Sequence, residues 1–124
     1  MSKYHSRKVK RDGMIFDSMK EARRWNELHL LERAGAITEL RRQVKYILIP
    51  AQRAPSVLGP RGGVKQGELL EREVSYYADF VYQDEHGNTV VEDVKGYKDG
   101  QAYALFSVKR KLMLFNYGIK VREV

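Results

Sequence analysis

Cysteine is absent from the 124-residue sequence, which excludes disulfides, a thiol nucleophile and a cysteine-ligated zinc site. The sequence also lacks a run of about 18 apolar residues, the length that a membrane-spanning helix needs. Its three histidines, His5, His29 and His86, do not have the spacing of metal ligands. The first residues are basic and lack the apolar segment of a signal peptide. We therefore expect a cytoplasmic protein that has no membrane partner.

Proline is scarce, and all three prolines fall between residues 50 and 60. Four glycines follow between residues 59 and 67, and the same segment carries Arg53, Arg61 and Lys65 without any acid. Neither flank is long enough to form a core alone, so we predict one domain over residues 1–124. Residues 50–67 are then a flexible basic loop or ribbon tip inside it. An ordinary surface loop is the alternative to a basic flap over a nucleic acid.

Positive charge is abundant: 23 Lys and Arg residues against 16 acids give a net charge of +7 and a pI near 9.7. Such a balance favours a polyanionic partner, and DNA is our prediction. Residues 1–12 form a basic N-terminal arm, in which an Asp12-Gly13 turn can pair residues 9–11 with residues 14–16. A solvated tail is the alternative. The candidate residues for binding the nucleic-acid backbone are Arg7, Lys8, Lys10, Arg11, Arg53, Arg61, Lys65, Lys109, Arg110 and Lys111.

The first helix is predicted to begin at Ser18 and to end at Gly35. Ser18 is a typical N-cap, and Glu21 three residues later completes a capping box, which is a structural role for that acid. The apolar residues recur at helical spacing, as expected of an amphipathic helix. They are Met19, Ala22, Trp25, Leu28 and Leu31.

Three strands and a second helix follow, and a short strand closes the chain. The strands are predicted at 37–49, 68–83 and 89–96, the helix at 102–117 and the last strand at 119–124. The first strand is apolar on both faces towards its end, which suggests a central position. On the second strand, the alternation places Tyr76, Ala78, Phe80 and Tyr82 on one face. The stripe of the second helix is Leu105, Val108, Leu112 and Phe115.

The order αβββαβ predicts an α/β (α+β) fold. A helix between the third and fourth strands makes a crossover, so these two strands are expected to be parallel. The result is a mixed four-stranded sheet that is flanked by two helices, with a small N-terminal β-ribbon.

Three charged residues, Asp79, Asp93 and Lys95, interrupt the apolar strands. Ionised groups in a half-buried strand cost free energy unless they are paired. Two carboxylates are suitable ligands for Mg²⁺ or Mn²⁺, which would polarise a water, and Lys95 can orient that water or stabilise a transition state. A cross-strand salt bridge is the alternative.

This interpretation depends on whether the turn between the second and third strands has an odd or an even number of residues. Asp93 and Lys95 share a face because they are two residues apart. Asp79 joins them only if the turn near Gly87 has an odd number of residues or contains a bulge. An even turn would put Asp79 opposite Val94 and break the site.

With Asp79, Asp93-Val94-Lys95 and the order αβββαβ, the chain resembles the PD-(D/E)xK nuclease superfamily. The superfamily has the restriction-endonuclease-like fold, with its first Asp on the second strand and its (D/E)xK on the third. Ala78 stands here where many members have proline. Within the superfamily, the segments 16–24, 77–80, 91–96 and 109–113 are similar to a family of small phage and prophage proteins.

The resemblance implies a metal-dependent DNA endonuclease of phage origin that acts in DNA replication, recombination or processing in the host cytoplasm. Asp79, Asp93 and Glu21 would hold Mg²⁺ or Mn²⁺, and Lys95 would complete the catalytic set. Gln43 is a candidate for positioning water or phosphate, although a polar strand residue needs no such role. A homodimer is expected by analogy. The alternative functions are a non-catalytic nucleic-acid-binding module and a structural interaction protein.

Overall fold

The computed structural model describes residues 8–11, 13–96 and 98–124. Arg7 and the six residues before it, which belong to the predicted arm, lie outside the described residues. The elements in chain order are β1 (Val9–Arg11), β2 (Met14–Phe16), α1 (Met19–Arg33), β3 (Thr38–Ile49), β4 (Gln52–Arg53), β5 (Val57–Leu58), β6 (Val64–Lys65), β7 (Leu69–Glu71), β8 (Val74–Gln83), β9 (Thr89–Asp93), α2 (Gly100–Tyr117) and β10 (Arg122–Glu123).

Four strands form the main sheet in the order β10-β9-β8-β3. β3 and β9 are antiparallel to β8, whereas β10 is parallel to β9. A parallel pair needs a crossover connection, and α2 supplies it. The predicted α+β class, the mixed four-stranded sheet and the order αβββαβ are confirmed. The N-terminal ribbon is also present, since β1 pairs with β2.

The first long strand, β3, lies at the edge of this sheet, so the prediction of a central position was wrong. Leu48 is buried at 4% exposure, but Ile47 and Ile49 are 44% and 38% exposed. An apolar side chain indicates that another element packs above or below its strand. It does not indicate whether the strand has a hydrogen-bonded neighbour on both sides. The position in the sheet therefore could not follow from the apolar run alone.

Two apolar clusters occupy the two faces of the sheet. α2 contributes Phe106 and Met113 to one cluster, and α1 contributes Ala22 and Leu28 to the other. The N-terminal ribbon adds Phe16, which is fully buried in the α1 cluster. Each helix thus covers one face of the sheet and conceals its apolar side chains from water.

The alternation of faces along β8 changes at Asp79. Tyr76 and Ala78 belong to the α2 cluster, whereas Phe80 and Tyr82 belong to the α1 cluster. A regularly pleated strand would keep these four side chains on one face. The predicted common face was therefore wrong, and the irregularity falls at a candidate site residue.

Gln43 on β3 accounts for the change. Its neighbours Arg42 and Val44 pair with Phe80 and Ala78, so Gln43 faces Asp79 across the strand pair. The φ angle of Gln43 is +53°, in the left-handed region that side chains rarely adopt. Such a residue turns the strand locally, and the cross-strand partner turns with it.

The apolar stripe predicted for α2 faces largely outwards. Leu105, Val108 and Phe115 are 56%, 54% and 87% exposed, while Phe106 and Met113 are buried. The helix is apolar around much of its circumference, so its periodicity did not identify the side that packs on the sheet. In α1 the middle of the predicted stripe is buried, and its first and last members, Met19 and Leu31, are more than 40% exposed.

The predicted basic loop is an ordered two-level β-ribbon. β4 pairs with β7 near the sheet, and β5 pairs with β6 at the tip. The segment predicted as one strand over residues 68–83 is consequently divided into β7 and β8. Leu58 and Val64 at the tip are both 77% exposed. We call residues 50–73 the ribbon arm.

Gly67→Ala is expected to open the ribbon arm without unfolding the domain. A Cβ at position 67 would lie 1.8 Å from the carbonyl oxygen of Ala54, which is a severe clash with backbone. Arg53 also donates to the Gly67 carbonyl at 3.1 Å, so the displacement removes this hydrogen bond. Limited proteolysis should show cleavage in the arm at least several-fold faster than in the wild type.

Gly63→Ala is the matched control, because a Cβ at position 63 meets no atom within 4 Å. Its arm should be cleaved at the wild-type rate. Equal rates for the two variants would contradict the close packing at Gly67.

Candidate metal and nucleic-acid site

The turn between β8 and β9 has the parity that the site requires. Phe80 pairs with Glu92, and the turn comprises the five residues 84–88. Extending the register by one residue places Asp79 beside Asp93. The prediction of an odd turn is confirmed, and the two carboxylates share one end of the hairpin.

Asp79 is held in place by two donors. Its Oδ2 accepts from the Val94 N–H at 2.8 Å, and its Oδ1 accepts from the Gln43 side-chain amide at 3.1 Å. The first contact ties Asp79 to the residue that follows β9, and the second ties it to the kinked position of β3. Contacts from β3 and from the end of β9 therefore converge on this carboxylate of β8.

Asp93 and Lys95 form a close ion pair. The Lys95 Nζ lies 2.7 Å from Asp93 Oδ1, and Tyr76 donates its hydroxyl to Asp93 Oδ2. Lys95 lies beyond the end of β9. Its N–H nevertheless donates to the Val124 carbonyl, so hydrogen bonding between these two segments continues past the ends of β9 and β10. The Lys95 ammonium also lies 3.6 Å from the centroid of the Phe106 ring, where a cation is stabilised.

Glu21 reaches the same cleft from the first turn of α1. Ser18 caps the helix as predicted, because its Oγ accepts from the Glu21 N–H at 3.1 Å, whereas the Glu21 side chain accepts from the Asp17 N–H at 3.3 Å and not from Ser18. The Glu21 side chain is buried, and its Oε1 accepts from Gln43 at 3.3 Å and from Arg42 at 3.5 Å. The capped first turn and the position of Glu21 in the cleft are therefore compatible. Gln43 donates to both Glu21 and Asp79 and links the two acids.

A cleft of about 360 Å³ brings the three acids together. Glu21, Asp79 and Asp93 line it, and the remaining wall comes from the N-terminus of α1 and the segment after β9. Those other lining residues are Asp17, Ser18, Lys20, Val94 and Gly96. The sheet thus presents two carboxylates, the helix presents one, and Asp17 before the helix adds a fourth.

The acids make the cleft electrostatically strained. Burial and the neighbouring charge of Asp93 raise the pKa of Asp79 to about 7, although the hydrogen bonds from Val94 and Gln43 oppose the shift. Burial also raises the pKa of Glu21, and the charge of Asp17 adds to this effect. At neutral pH a proton or a cation therefore relieves the repulsion in this cleft.

This strain predicts a loss of stability as the pH rises. A carboxyl whose pKa is raised in the folded state contributes stability that is complete below its unfolded pKa and is lost as the pH rises through its folded value. For Asp79 these limits are 3.8 and about 7. In EDTA we expect the free energy of unfolding to fall by about 2 kcal/mol between pH 5 and pH 8, since one pKa unit is worth about 1.4 kcal/mol.

Urea denaturation at the two pH values measures this difference. Asp79→Asn should remove most of the difference and should raise stability at pH 8, with Glu21 accounting for the residual slope. Millimolar Mg²⁺ should stabilise the wild type more at pH 8 than at pH 5. If Asp79→Asn kept the full pH dependence of stability, that dependence would belong to another group.

The donor set fits a hard divalent cation. The three predicted ligands and Asp17 line one cleft, and carboxylate oxygens are the ligands that Mg²⁺ and Mn²⁺ prefer. Both oxygens of Asp93 and both oxygens of Asp79 already accept hydrogen bonds from the protein. Among the described residues, no three acidic or histidine side chains stand together as a preformed ligand set. A cation in the cleft would therefore compete with Lys95 and Gln43 for the lone pairs of these carboxylate oxygens.

The residues that were predicted to bind the nucleic-acid backbone have different environments. Arg110 is 19% exposed in its side chain and pairs with Glu123 at 3.2 Å, so it serves the packing of α2 against β10. Arg53 donates to Gly67 within the ribbon arm. The remaining described members are half-buried or exposed cations, and none lines the acidic cleft. They are Lys8, Lys10, Arg11, Arg61, Lys65, Lys109 and Lys111.

Several contacts near the cleft were not anticipated from the sequence. Glu92, the acid next to Asp93, is fully buried on the other face and is held by Arg24 through two hydrogen bonds of 2.7 Å. The Tyr82 hydroxyl also donates to Glu92. Lys20 donates to the Lys95 carbonyl beside the cleft. The sequence spacing gave no signal for these long-range pairs, except that an acid in an apolar strand needs a partner.

No helix among the residues that the structure describes is long and apolar enough to cross a bilayer.

The fold and the cleft define a small mixed α+β protein in which an acidic site lies where two strands and a helix N-terminus meet. The chain belongs to the family described as "Protein of unknown function (DUF1064)", whose model matches residues 1–123. No curated protein and no solved structure matches the chain.

Proposed function

We propose that the protein is a metal-dependent DNA endonuclease of the PD-(D/E)xK superfamily. The observation that carries the proposal is the register of β8 and β9, which puts Asp79 beside Asp93 while Lys95 contacts Asp93 at 2.7 Å. A protein that only bound nucleic acid would gain nothing from buried carboxylates at this position, because they repel phosphate.

Each residue of the cleft has a role in phosphodiester hydrolysis. Asp79, Asp93 and Glu21 would hold Mg²⁺ or Mn²⁺, and the bound ion would lower the pKa of a water and neutralise charge on the phosphoryl oxygens. Lys95, freed from Asp93, orients the attacking water or donates to a phosphoryl oxygen as negative charge develops there. The water oxygen loses a proton to solvent and forms a bond to phosphorus, while the bond to the leaving oxygen breaks and that oxygen takes up a proton from solvent.

The other residues around the cleft keep the carboxylates oriented. Tyr76 fixes one oxygen of Asp93 and leaves the second to exchange between Lys95 and a cation. Gln43 stands between Glu21 and Asp79 with a side-chain amide that can donate to water or phosphate. The ribbon arm and the positive net charge of +7 favour a long polyanionic substrate over a mononucleotide.

A cleavage assay on a panel of DNA substrates tests the proposal. Linear duplex, single strand, flap and branched junction are incubated with Mg²⁺, with Mn²⁺ or with EDTA. We expect metal-dependent cleavage of at least one substrate, and a loss of about 10²-fold or more in Lys95→Ala. The control is Lys120→Ala, which removes the same charge from an exposed position two residues before β10.

Two outcomes would contradict the endonuclease. One is binding without cleavage across the panel, which would favour the non-catalytic binding module. The other is equal cleavage by the wild type and Lys95→Ala, which would indicate a contaminating nuclease. Size-exclusion chromatography with light scattering in the same buffers tests the expected homodimer.

A further inference from the structure

A second cavity, of about 320 Å³, adjoins the acidic cleft along the N-terminal half of α1. Lys20 and Val94 line both cavities, so the two share a wall. The other lining residues of the second cavity are Arg23, Arg24, Glu27 and Val124. Three cationic side chains and one acidic side chain therefore face a space next to the proposed catalytic centre.

Arg24 is not available to a ligand in this cavity. Its guanidinium donates to both oxygens of Glu92 at 2.7 Å and to Glu27 at 2.8 Å. Arg24 shares its one positive charge between Glu92 and Glu27, so the three side chains together keep one negative charge. Arg24 and its two partners thus form a wall of the cavity, and other side chains must supply its available positive charge.

Lys20 and Arg23 supply that charge. They are three residues apart on α1, so they lie on the same side of the helix. Lys20 uses one N–H on the Lys95 carbonyl, and an ammonium has three donors. Arg23 is exposed and has no ion pair among the described residues. One cation therefore stands at the boundary with the acidic cleft, and the second lies one helical turn further on.

We infer that this second cavity binds a DNA phosphate that neighbours the scissile phosphate, an inference that rests on the proposed function. Each DNA strand carries a phosphate about every 3.4 Å of helix axis, so a phosphate in the acidic cleft has charged neighbours on both sides. The carboxylates of the cleft repel those neighbours. Lys20 and Arg23 offset this repulsion on one side, and the bound strand then runs along the first two turns of α1.

The test uses the double variant Lys20→Gln/Arg23→Gln. Its matched control is Arg33→Gln/Lys120→Gln, which removes the same charge from exposed positions at the far end of α1 and near β10. Binding of a labelled oligonucleotide is measured by anisotropy in EDTA at several salt concentrations. The dissociation constant should rise about 10-fold in the double variant, and the slope of log affinity against log salt should decrease by about 1. The control should bind within about 2-fold of the wild type.

Oligonucleotides with one neutral methylphosphonate at each linkage in turn locate the contact. One linkage should weaken binding to the wild type several-fold and have no effect on the double variant. If the neutral linkages weaken both proteins equally, or if the double variant binds like the control, the phosphate site is refuted. Thermal melting shows whether both variants are folded.

The same proteins separate this inference from the endonuclease. If the methylphosphonate pattern is found but no substrate is cleaved with Mg²⁺, the phosphate site stands and the proposed activity fails. If DNA is cleaved while the double variant has the wild-type KM and binding, the activity stands and the phosphate site fails.

Discussion

Asp93→Asn is expected to reduce Mg²⁺-dependent DNA cleavage by about 10³-fold or more while the protein stays folded. A metal ion contributes several kcal/mol of charge stabilisation to such a reaction, and each 1.4 kcal/mol is a factor of ten in rate. Asparagine removes a charged ligand and the ion pair with Lys95, but it still accepts from the Tyr76 hydroxyl at this buried position. Single-turnover cleavage measures the effect, and circular dichroism checks the fold.

Asp99→Asn is the matched control for this experiment. Asp99 stands at the N-cap of α2, where its side chain makes no capping hydrogen bond, and it is exposed. Its replacement should leave cleavage within about 2-fold of the wild type. Cleavage by Asp93→Asn within 3-fold of the wild type would remove Asp93 from the catalytic set. A metal titration then distinguishes weaker metal binding, which excess Mg²⁺ partly restores, from a loss that no concentration restores.

Arg24→Ala is expected to destabilise the fold by about 3–5 kcal/mol, the cost of leaving one member of a buried ion pair without its partner. Glu92 is 0% exposed, and Arg24 is the cation that holds both of its oxygens. The Tyr82 hydroxyl would remain as a donor to Glu92. Burial and this carboxylate raise the pKa of Tyr82 to about 12, so the hydroxyl stays protonated and a single neutral donor faces the charge.

Urea denaturation of three variants tests this account. Arg23→Ala, on the exposed side of the same helix, should change stability by less than about 0.5 kcal/mol. Arg24→Met/Glu92→Gln removes both charges and keeps an acceptor for Tyr82, so it should recover at least half of the loss. A cost below 1 kcal/mol for Arg24→Ala would show that Glu92 finds another partner or a proton.

The two experiments address opposite faces of one strand. Glu92 and Asp93 are adjacent acids on β9, yet one is paired with α1 and the other faces the cleft. A large effect on stability from the first pair and a large effect on cleavage from the second would separate the structural acid from the catalytic one. The reverse pattern would require the roles of the two acids to be exchanged.

Much of the fold could be predicted from the sequence because its signals are local. Ser18 caps α1, Gly118 ends α2 with a φ angle of +68°, and the run of elements defines the crossover between β9 and β10. Local signals were insufficient where a prediction depended on which element packs against a given surface. Phe115 has the spacing of a core residue and is 87% exposed, because helical periodicity does not say which side meets a sheet.

For the site, the sequence by itself determined which residues are the candidates and the condition under which they meet. Asp79, Asp93 and Lys95 are charged residues in apolar strands, and the parity of one turn decided whether they meet. Only the tertiary structure showed that the five-residue turn is odd and that Glu21 is buried against Gln43. Contacts such as the one between Lys20 and Lys95, 75 residues apart, also depend on packing. The physical reason is that backbone propensity and pleating act over a few residues, whereas burial, pKa shifts and the shape of a cleft arise only when distant elements pack together.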